Sequence, residues 1–156
     1  MAQIRKRLVG GEILEVAIGD RFGYVQFIGQ HPQYGDAILV NPALHSRQAH
    51  FATGFFSAAY VTFYPAGIAV SNKDVEVVAQ SSPPKLPRRF RRPKVRAGEG
   101  AVASWVIEGG WREVVRQNLT DEERRMPIAD VWDHEFLRKR IANGWTPQTD
   151  SSSFST

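Results

Sequence analysis

The sequence predicts an α+β fold that is mostly β: a small SH3-like or bent antiparallel barrel, followed by a strand pair and two C-terminal helices. Short segments with period-two apolar alternation, rich in β-branched and aromatic residues, recur through the first half of the chain. A proline- and arginine-rich stretch without apolar periodicity follows them, and helix-start signals occur only beyond it. The length of 156 residues and the 42% apolar content fit one soluble globular domain.

A series of short strands is expected before residue 81. The first has apolar side chains at positions 14, 16 and 18, which predicts a half-buried strand, and Gly19-Asp20 makes the turn to its partner. Asn41-Pro42 ends the third strand, and the polar segment after it predicts a loop or one helical turn. The expected strands are Glu12–Ile18, Arg21–Ile28, Ala37–Val40, Ala58–Tyr64, Ile68–Val70 and Val75–Val78.

The segment from Gln80 to Gly100 is expected to be an extended connector, because its prolines argue against a central strand or a helix interior. Beyond it, Ala101–Ile107 and Trp111–Val115 predict a strand pair around the turn Gly109-Gly110. The predicted parts of this single domain are a β-barrel-like body (1–80), a basic proline-rich connector (81–100), a Trp-rich strand and helix part that packs on the body (101–147) and a disordered tail (148–156).

Two C-terminal helices are predicted from their capping residues. Thr120 and Glu123 have the spacing of a capping box, in which each side chain bonds the backbone N–H of the other residue. Asp133 is expected to cap a second helix, His134–Asn143, which Gly144 ends. We expect the tryptophans to form the core that docks the helical part onto the sheet, with a binding surface as the alternative. They are Trp105, Trp111, Trp132 and Trp145.

No catalytic or metal-binding constellation is visible in the sequence. The chain has no cysteine, and its four histidines lack the spacing of metal ligands. The motif G-x-S-x-G is absent, and Gly98-Glu-Gly100 follows a proline-arginine stretch rather than the strand that a dinucleotide fingerprint needs. We therefore predict no enzyme activity, no cofactor and no metal. Without a signal-peptide pattern or a long apolar run, we expect a cytoplasmic protein with no membrane partner.

The positive charge of the chain is concentrated in two short segments. The net charge is +4, yet residues 81–100 alone contribute +6 and residues 1–7 contribute +3. The remaining segments are acidic, with −3 for residues 8–80 and −2 for residues 101–156. Any interpretation as a nucleic-acid-binding protein depends on the two basic segments alone.

The basic stretch supplies the candidate partner-binding residues, and three interpretations of it remain open. It can be a solvated connector whose arginines pair with acids on the body, a phosphate-binding segment in which Phe90 stacks on a base, or a site for an acidic protein. The candidate residues are Lys85, Arg88, Arg89, Phe90, Arg91, Arg92, Lys94 and Arg96.

A family resemblance extends over roughly residues 8–147. The matching segments are Gly11-Glu12-Ile-Leu-Glu-Val-Ala-Ile18-Gly19-Asp20, Phe22-Gly23-Tyr24-Val25-Gln26, Trp105-Val-Ile, Leu119-Thr120, Pro127-Ile128 and Leu137…Ile141-Ala-Asn-Gly144-Trp145-Thr-Pro147. Together they resemble the immunity-26 family of bacterial polymorphic toxin systems. The resemblance implies a non-catalytic protein that binds and neutralises a cognate toxin, and it assigns no binding residue. The alternative is a nucleic-acid-binding module that uses Lys85–Arg96.

Overall fold

The computed structural model describes residues 7–94, 104–108, 114–116 and 120–148 of the chain. Eight strands and three short helices lie within these ranges, numbered in chain order. The strands are β1 (Glu12–Ile18), β2 (Arg21–His31), β3 (Gly35–Val40), β4 (Tyr60–Phe63), β5 (Glu76–Gln80), β6 (Phe90–Lys94), β7 (Ser104–Glu108) and β8 (Val114–Arg116). The helices are α1 (Ala66–Ser71), α2 (Asp121–Arg125) and α3 (His134–Ala142).

The body of the protein is a five-stranded antiparallel sheet with the strand order β4-β3-β2-β1-β5. Strands β1 to β4 follow one another as neighbours, and α1 returns the chain so that β5 pairs with β1. Gly19 has a φ of 62° in the two-residue turn between β1 and β2, a conformation that glycine adopts without strain. The predicted α+β class, mostly β, is confirmed.

The main hydrophobic core lies on one face of this sheet. Leu14 and Val16 of β1 are fully buried there, as is Val25 of β2, and the same face is covered by α1, α3 and the segment before α3. Trp132 is buried in this core and Trp145 packs against it, as the core interpretation of the tryptophans predicted. Trp111 lies outside the described residues, and the side chain of Trp105 is not described.

The opposite face of the sheet is covered as well, which the half-buried pattern of the first strand did not predict. All residues from Glu12 to Val16 are buried, including Ile13 and Glu15 on the second face. The cover is the long loop between β3 and β4, whose Phe51 and Phe55 rings pack edge-on against Tyr24 with centroid distances of 5.1 and 5.7 Å. We refer to this second face as the outer face.

The segment predicted as a turn at 65–67 and a strand at 68–70 is helical instead. Ala66 and Ala69, three residues apart, are both buried against the main core, which is the spacing of one helix face. The backbone N–H of Gly67 donates to the Asp36 carboxylate at 3.0 Å and so satisfies one donor of the first turn. Three residues are too few for a sequence pattern to separate a strand from a helix.

The connector was predicted to be extended, without a central strand, and its residues 90–94 form an edge strand that the prediction did not include. β6 forms one edge of a three-stranded sheet with the order β6-β7-β8. The strand pair expected around Gly109-Gly110 therefore has β6 as a third strand. Pro93 is tolerated because β6 is an edge strand, where a missing backbone N–H costs least. The outer side of β6 contacts the chain at Pro127 and Ala129 through backbone hydrogen bonds of Arg91.

The helix-start signals near the C-terminus are confirmed. Thr120 and Glu123 form the reciprocal capping box of α2, and Asp133 caps α3 by accepting from the backbone N–H of Phe136 at 2.7 Å. Gly144, which follows α3, has a φ of 65°. Within the described ranges, no helix has the length and apolar character needed to cross a membrane. The predicted tail, 148–156, lies almost wholly outside those ranges.

Candidate partner-binding surface

The described part of the basic stretch is fastened to the body by two apolar side chains. Phe90 is 3% exposed and belongs to a second hydrophobic cluster, and the half-buried Leu86 packs against the same cluster. The Phe90 ring lies 5.4 Å from the Phe63 ring and 5.1 Å from the His31 imidazole, measured between centroids. The backbone between these anchors therefore has a fixed course over the body.

Three cations are exposed on this anchored segment. Lys85, Arg88 and Arg89 are all solvent-exposed, and none of them forms an ion pair with any residue in the described part of the chain. The hypothesis that connector arginines pair with acids on the body is therefore wrong for Arg88 and Arg89, as far as the described part of the chain is concerned. We call Lys85, Arg88 and Arg89 the basic strip.

Two of the predicted contact residues are buried, and this corrects the candidate set. Phe90 serves as an anchor, and Arg91 has 0% exposure, so neither side chain is available to a partner. The Arg91 guanidinium donates from NH2 to the Pro147 carbonyl at 3.0 Å and thereby ties β6 to the C-terminal part. The side chains of Arg92 and Lys94 are not described, and Arg96 lies outside the described residues.

A cleft of about 740 Å³ opens on the outer face, next to the basic strip. We call it the outer cleft. Its floor consists of side chains from three neighbouring strands, Ile13, Gln26 and Leu39. One wall is the loop 49–57 with Phe51, Phe55 and Phe56, and the other is the segment 79–84 with Pro83 and Pro84. No Asp, Glu, Lys or Arg occurs among the described residues that line it.

The loop wall is held in place by one buried amide side chain at the end of β3. Asn41 donates from Nδ2 to the Phe55 carbonyl at 2.8 Å, and its Oδ1 accepts from the backbone N–H of Ala43 at 3.0 Å. The same Oδ1 lies 3.0 Å from His45 Nε2. An amide oxygen only accepts, so His45 Nε2 carries the hydrogen. Burial, and next the charge of Arg21, lower the pKa of His45, which favours the neutral imidazole.

A polar cluster on the outer face fixes the start of the same loop. The Tyr24 hydroxyl donates to Glu15 Oε2 at 2.9 Å and accepts from the backbone N–H of Gln48 at 2.8 Å. Arg47 NH2 lies 3.2 Å from the other Glu15 oxygen, so that this buried carboxylate has a cationic partner. Burial raises the pKa of Tyr24, and the hydrogen bond to Glu15 acts in the same direction, so the phenol remains a donor at neutral pH.

The proline wall is fixed to β1 and β2 by backbone contacts. Gln26 Nε2 donates to the carbonyls of Gly11 and Ser81, each at 3.1 Å, and the backbone N–H of Ser81 donates to the Gly11 carbonyl at 2.9 Å. A Cβ atom at Gly11 would lie 2.1 Å from the Ser81 carbonyl oxygen, so only glycine permits this approach. Both walls of the outer cleft are thus held by hydrogen bonds before any ligand arrives.

The comparisons and a search for metal ligands add no further site. Among the described residues, no group of three or more His, Asp or Glu side chains could hold a metal ion. No protein-family model, curated protein or solved structure matches this chain.

Sequence reasoning identified the basic strip but missed the outer cleft, because its floor and walls come from five separated segments. The available signal was the phenylalanine-rich loop, Phe51 to Phe56, in an otherwise polar region.

Proposed function

We propose that this protein is a non-catalytic binding protein that holds a protein partner against the basic strip and the outer cleft. The observation that carries the proposal is the set of three exposed cations, without ion-pair partners in the described part of the chain, on a backbone anchored by Leu86 and Phe90. A connector that only links two parts of the chain through solvent does not require buried side chains that fix its course. An uncharged, partly apolar cleft with a charged margin also resembles a protein interface, in which the centre is less polar than the rim.

A protein partner is favoured over nucleic acid by the position of Phe90. Proteins that bind single strands combine cations with aromatic rings on which the bases stack. Phe90 is the one aromatic residue of the stretch Lys85–Arg96, and its ring is buried among His31, Tyr34 and Phe63. The basic strip can therefore attract an anion electrostatically but has no ring of its own to offer a base.

The resemblance to the immunity-26 family supports a toxin as the partner. In such a system the protein would act in the bacterial cytoplasm and neutralise the toxin by covering its functional surface. The absence of cysteine fits a reducing compartment. The acidic part of the toxin would face the basic strip.

The test is complex formation with the product of a toxin-like reading frame, if one is found next to this gene. Co-expression should relieve toxicity, and calorimetry on the purified proteins should give a Kd on the order of nanomolar, as for tight specific complexes. The variant K85Q/R88Q/R89Q should weaken binding at least about tenfold, because it removes charges that no described residue of the protein pairs with. The matched control K73Q/R125Q/K139Q removes three exposed charges elsewhere and should bind normally.

A nucleic-acid titration tests the alternative function, a nucleic-acid-binding module that uses Lys85–Arg96. Fluorescence anisotropy with a labelled single strand and a duplex, at roughly 50 and 200 mM salt, reports any phosphate-driven binding by its steep salt dependence. We expect no such binding. Tight, salt-sensitive binding that K85Q/R88Q/R89Q abolishes, together with no toxin complex, would replace the present proposal by the nucleic-acid module.

A further inference from the structure

We propose that the outer cleft takes an extended segment of the partner protein that carries acidic residues at the end nearest the basic strip. This inference rests on the proposed function and specifies the chemistry of the partner. The shape of the cleft is the first reason. Its floor runs across three adjacent strands, its volume is about 740 Å³, and its two walls are separate chain segments facing each other. A site of this form suits an extended chain that lies between the walls.

The composition of the cleft selects an uncharged, partly apolar stretch for its centre. The phenylalanine side chains of one wall and Pro83 and Pro84 of the other supply apolar surface, while exposed Thr53, Ser57 and Ser82 supply hydroxyl groups. No Asp, Glu, Lys or Arg lies among the described residues that line the cleft. A buried charge in this cleft would lack a partner, which disfavours charged residues at the centre of the segment.

The position of the basic strip sets where the acidic residues belong. Pro84 lines the cleft, Lys85 is the next residue along the chain, and Arg88 and Arg89 follow on the same anchored segment. A bound segment that continues past Pro84 would therefore meet the cations of the basic strip. Residues 81–96 contain no Asp or Glu that could compete for those cations within the stretch. Charge complementarity therefore requires acidic residues at this end of the bound segment.

The cleft is also formed in advance, which lowers the entropic cost of binding. Asn41 fixes the loop wall through Phe55, and Gln26 fixes the proline wall through Ser81. The prolines restrict φ near −65° along the second wall. Little ordering of the cleft itself is left for the moment of association, so this part of the entropic cost of binding is small.

The experiment is selection of a phage-displayed library of random dodecapeptides on the full-length protein. Enriched sequences should combine an uncharged stretch containing apolar residues with Asp or Glu toward one end. Synthetic peptides with those acids replaced by Asn or Gln should bind at least about tenfold more weakly. Peptide affinity is measured by fluorescence anisotropy.

Two matched variants locate the peptides on the molecule. Ala52 lines the cleft and is exposed, whereas Ala58 is exposed in the same loop and does not line it. Ala52→Trp should fill the cleft and weaken peptide and partner binding at least about tenfold, while Ala58→Trp should change neither by more than about twofold. Both positions are on the surface, so neither change disturbs the core.

The outcomes separate this inference from the proposed function. If the toxin product binds and depends on the basic strip, but Ala52→Trp binds it normally, the cleft inference is overturned and the proposed function stands. Enriched peptides without acidic bias would also overturn the inference. If neither the toxin product nor any peptide binds, the proposed function itself fails.

Discussion

At the scale of single residues, Asn41 and His45 act together on the loop that walls the outer cleft. Asn41 Oδ1 is already occupied by the backbone N–H of Ala43, and it can accept a second hydrogen only if His45 presents Nε2–H. The imidazole also packs 5.0 Å from the Phe55 ring, between centroids. Both the neutral Nε2–H imidazole and the imidazolium can make this bond, so the link to pH comes from the burial of the ring and from Arg21, which lower the pKa of His45.

This link predicts a pH dependence of stability. Because the pKa of His45 is lowered in the folded protein, the unfolded chain binds more protons between that lowered pKa and about 6.5, and stability falls as pH decreases through this window. Urea unfolding at about pH 7.5 and pH 5.5 should show this loss in the wild type. His45→Gln, which cannot titrate, should show a smaller loss. An equal loss in both proteins would contradict the role given to His45.

At the scale of elements, the close approach of α3 to the sheet depends on a glycine in β2. A Cβ atom at Gly23 would lie 2.8 Å from Ile141 Cδ1 and 3.0 Å from Ile141 Cγ2. Ile141 is 1% exposed, so its side chain has little room to move away. The glycine thus sets the distance at which the helix rests on β2.

Gly23→Ala should therefore destabilise the protein by about 1–3 kcal/mol through overpacking. The double variant Gly23→Ala with Ile141→Val removes the Cδ1 atom that the new methyl group meets. It should recover part of the loss, so the two changes should not be additive in urea unfolding. If Gly23→Ala leaves the unfolding free energy unchanged, α3 is not held at the distance described.

The elements that sequence reasoning predicted correctly are those with local causes. β1, the capping box at Thr120 and the stop at Gly144 follow from alternation, side-chain capping and a left-handed glycine. α1 was missed because its helical spacing is visible in only two buried alanines. β6 was missed because its pairing is a long-range property and its prolines argued against a strand. The outer cleft was missed for the same reason, since it depends on tertiary contacts alone.

At the scale of the whole molecule, Phe90 joins the basic stretch to the sheet. Its ring packs against Phe63 of β4 and His31 of β2. The backbone of the next residue, Arg91, donates a hydrogen bond to the Pro127 carbonyl and accepts one from the N–H of Ala129. One short segment therefore connects the body, the three-stranded sheet and the C-terminal part.

Phe90→Ala should lower the free energy of unfolding by about 3–5 kcal/mol, because it leaves a cavity in the second hydrophobic cluster. Phe90→Leu keeps most of the buried volume and should remain folded with a smaller loss. Urea unfolding measures both effects. If the Phe90→Ala loss is under about 0.5 kcal/mol, as for a surface position, the ring does not anchor the stretch.

The cations of the basic strip would also govern the speed of encounter with the proposed partner. Residues 8–80 carry a net charge of −3, whereas residues 81–100 carry +6, so positive and negative charge are concentrated in different parts of the chain. An approaching acidic partner is repelled by the body and attracted at the strip, and it is turned toward the outer cleft before contact is made. Such steering raises association rates and weakens as ionic strength increases. For the proposed toxin-binding function, the rate of capture would matter as much as the lifetime of the complex.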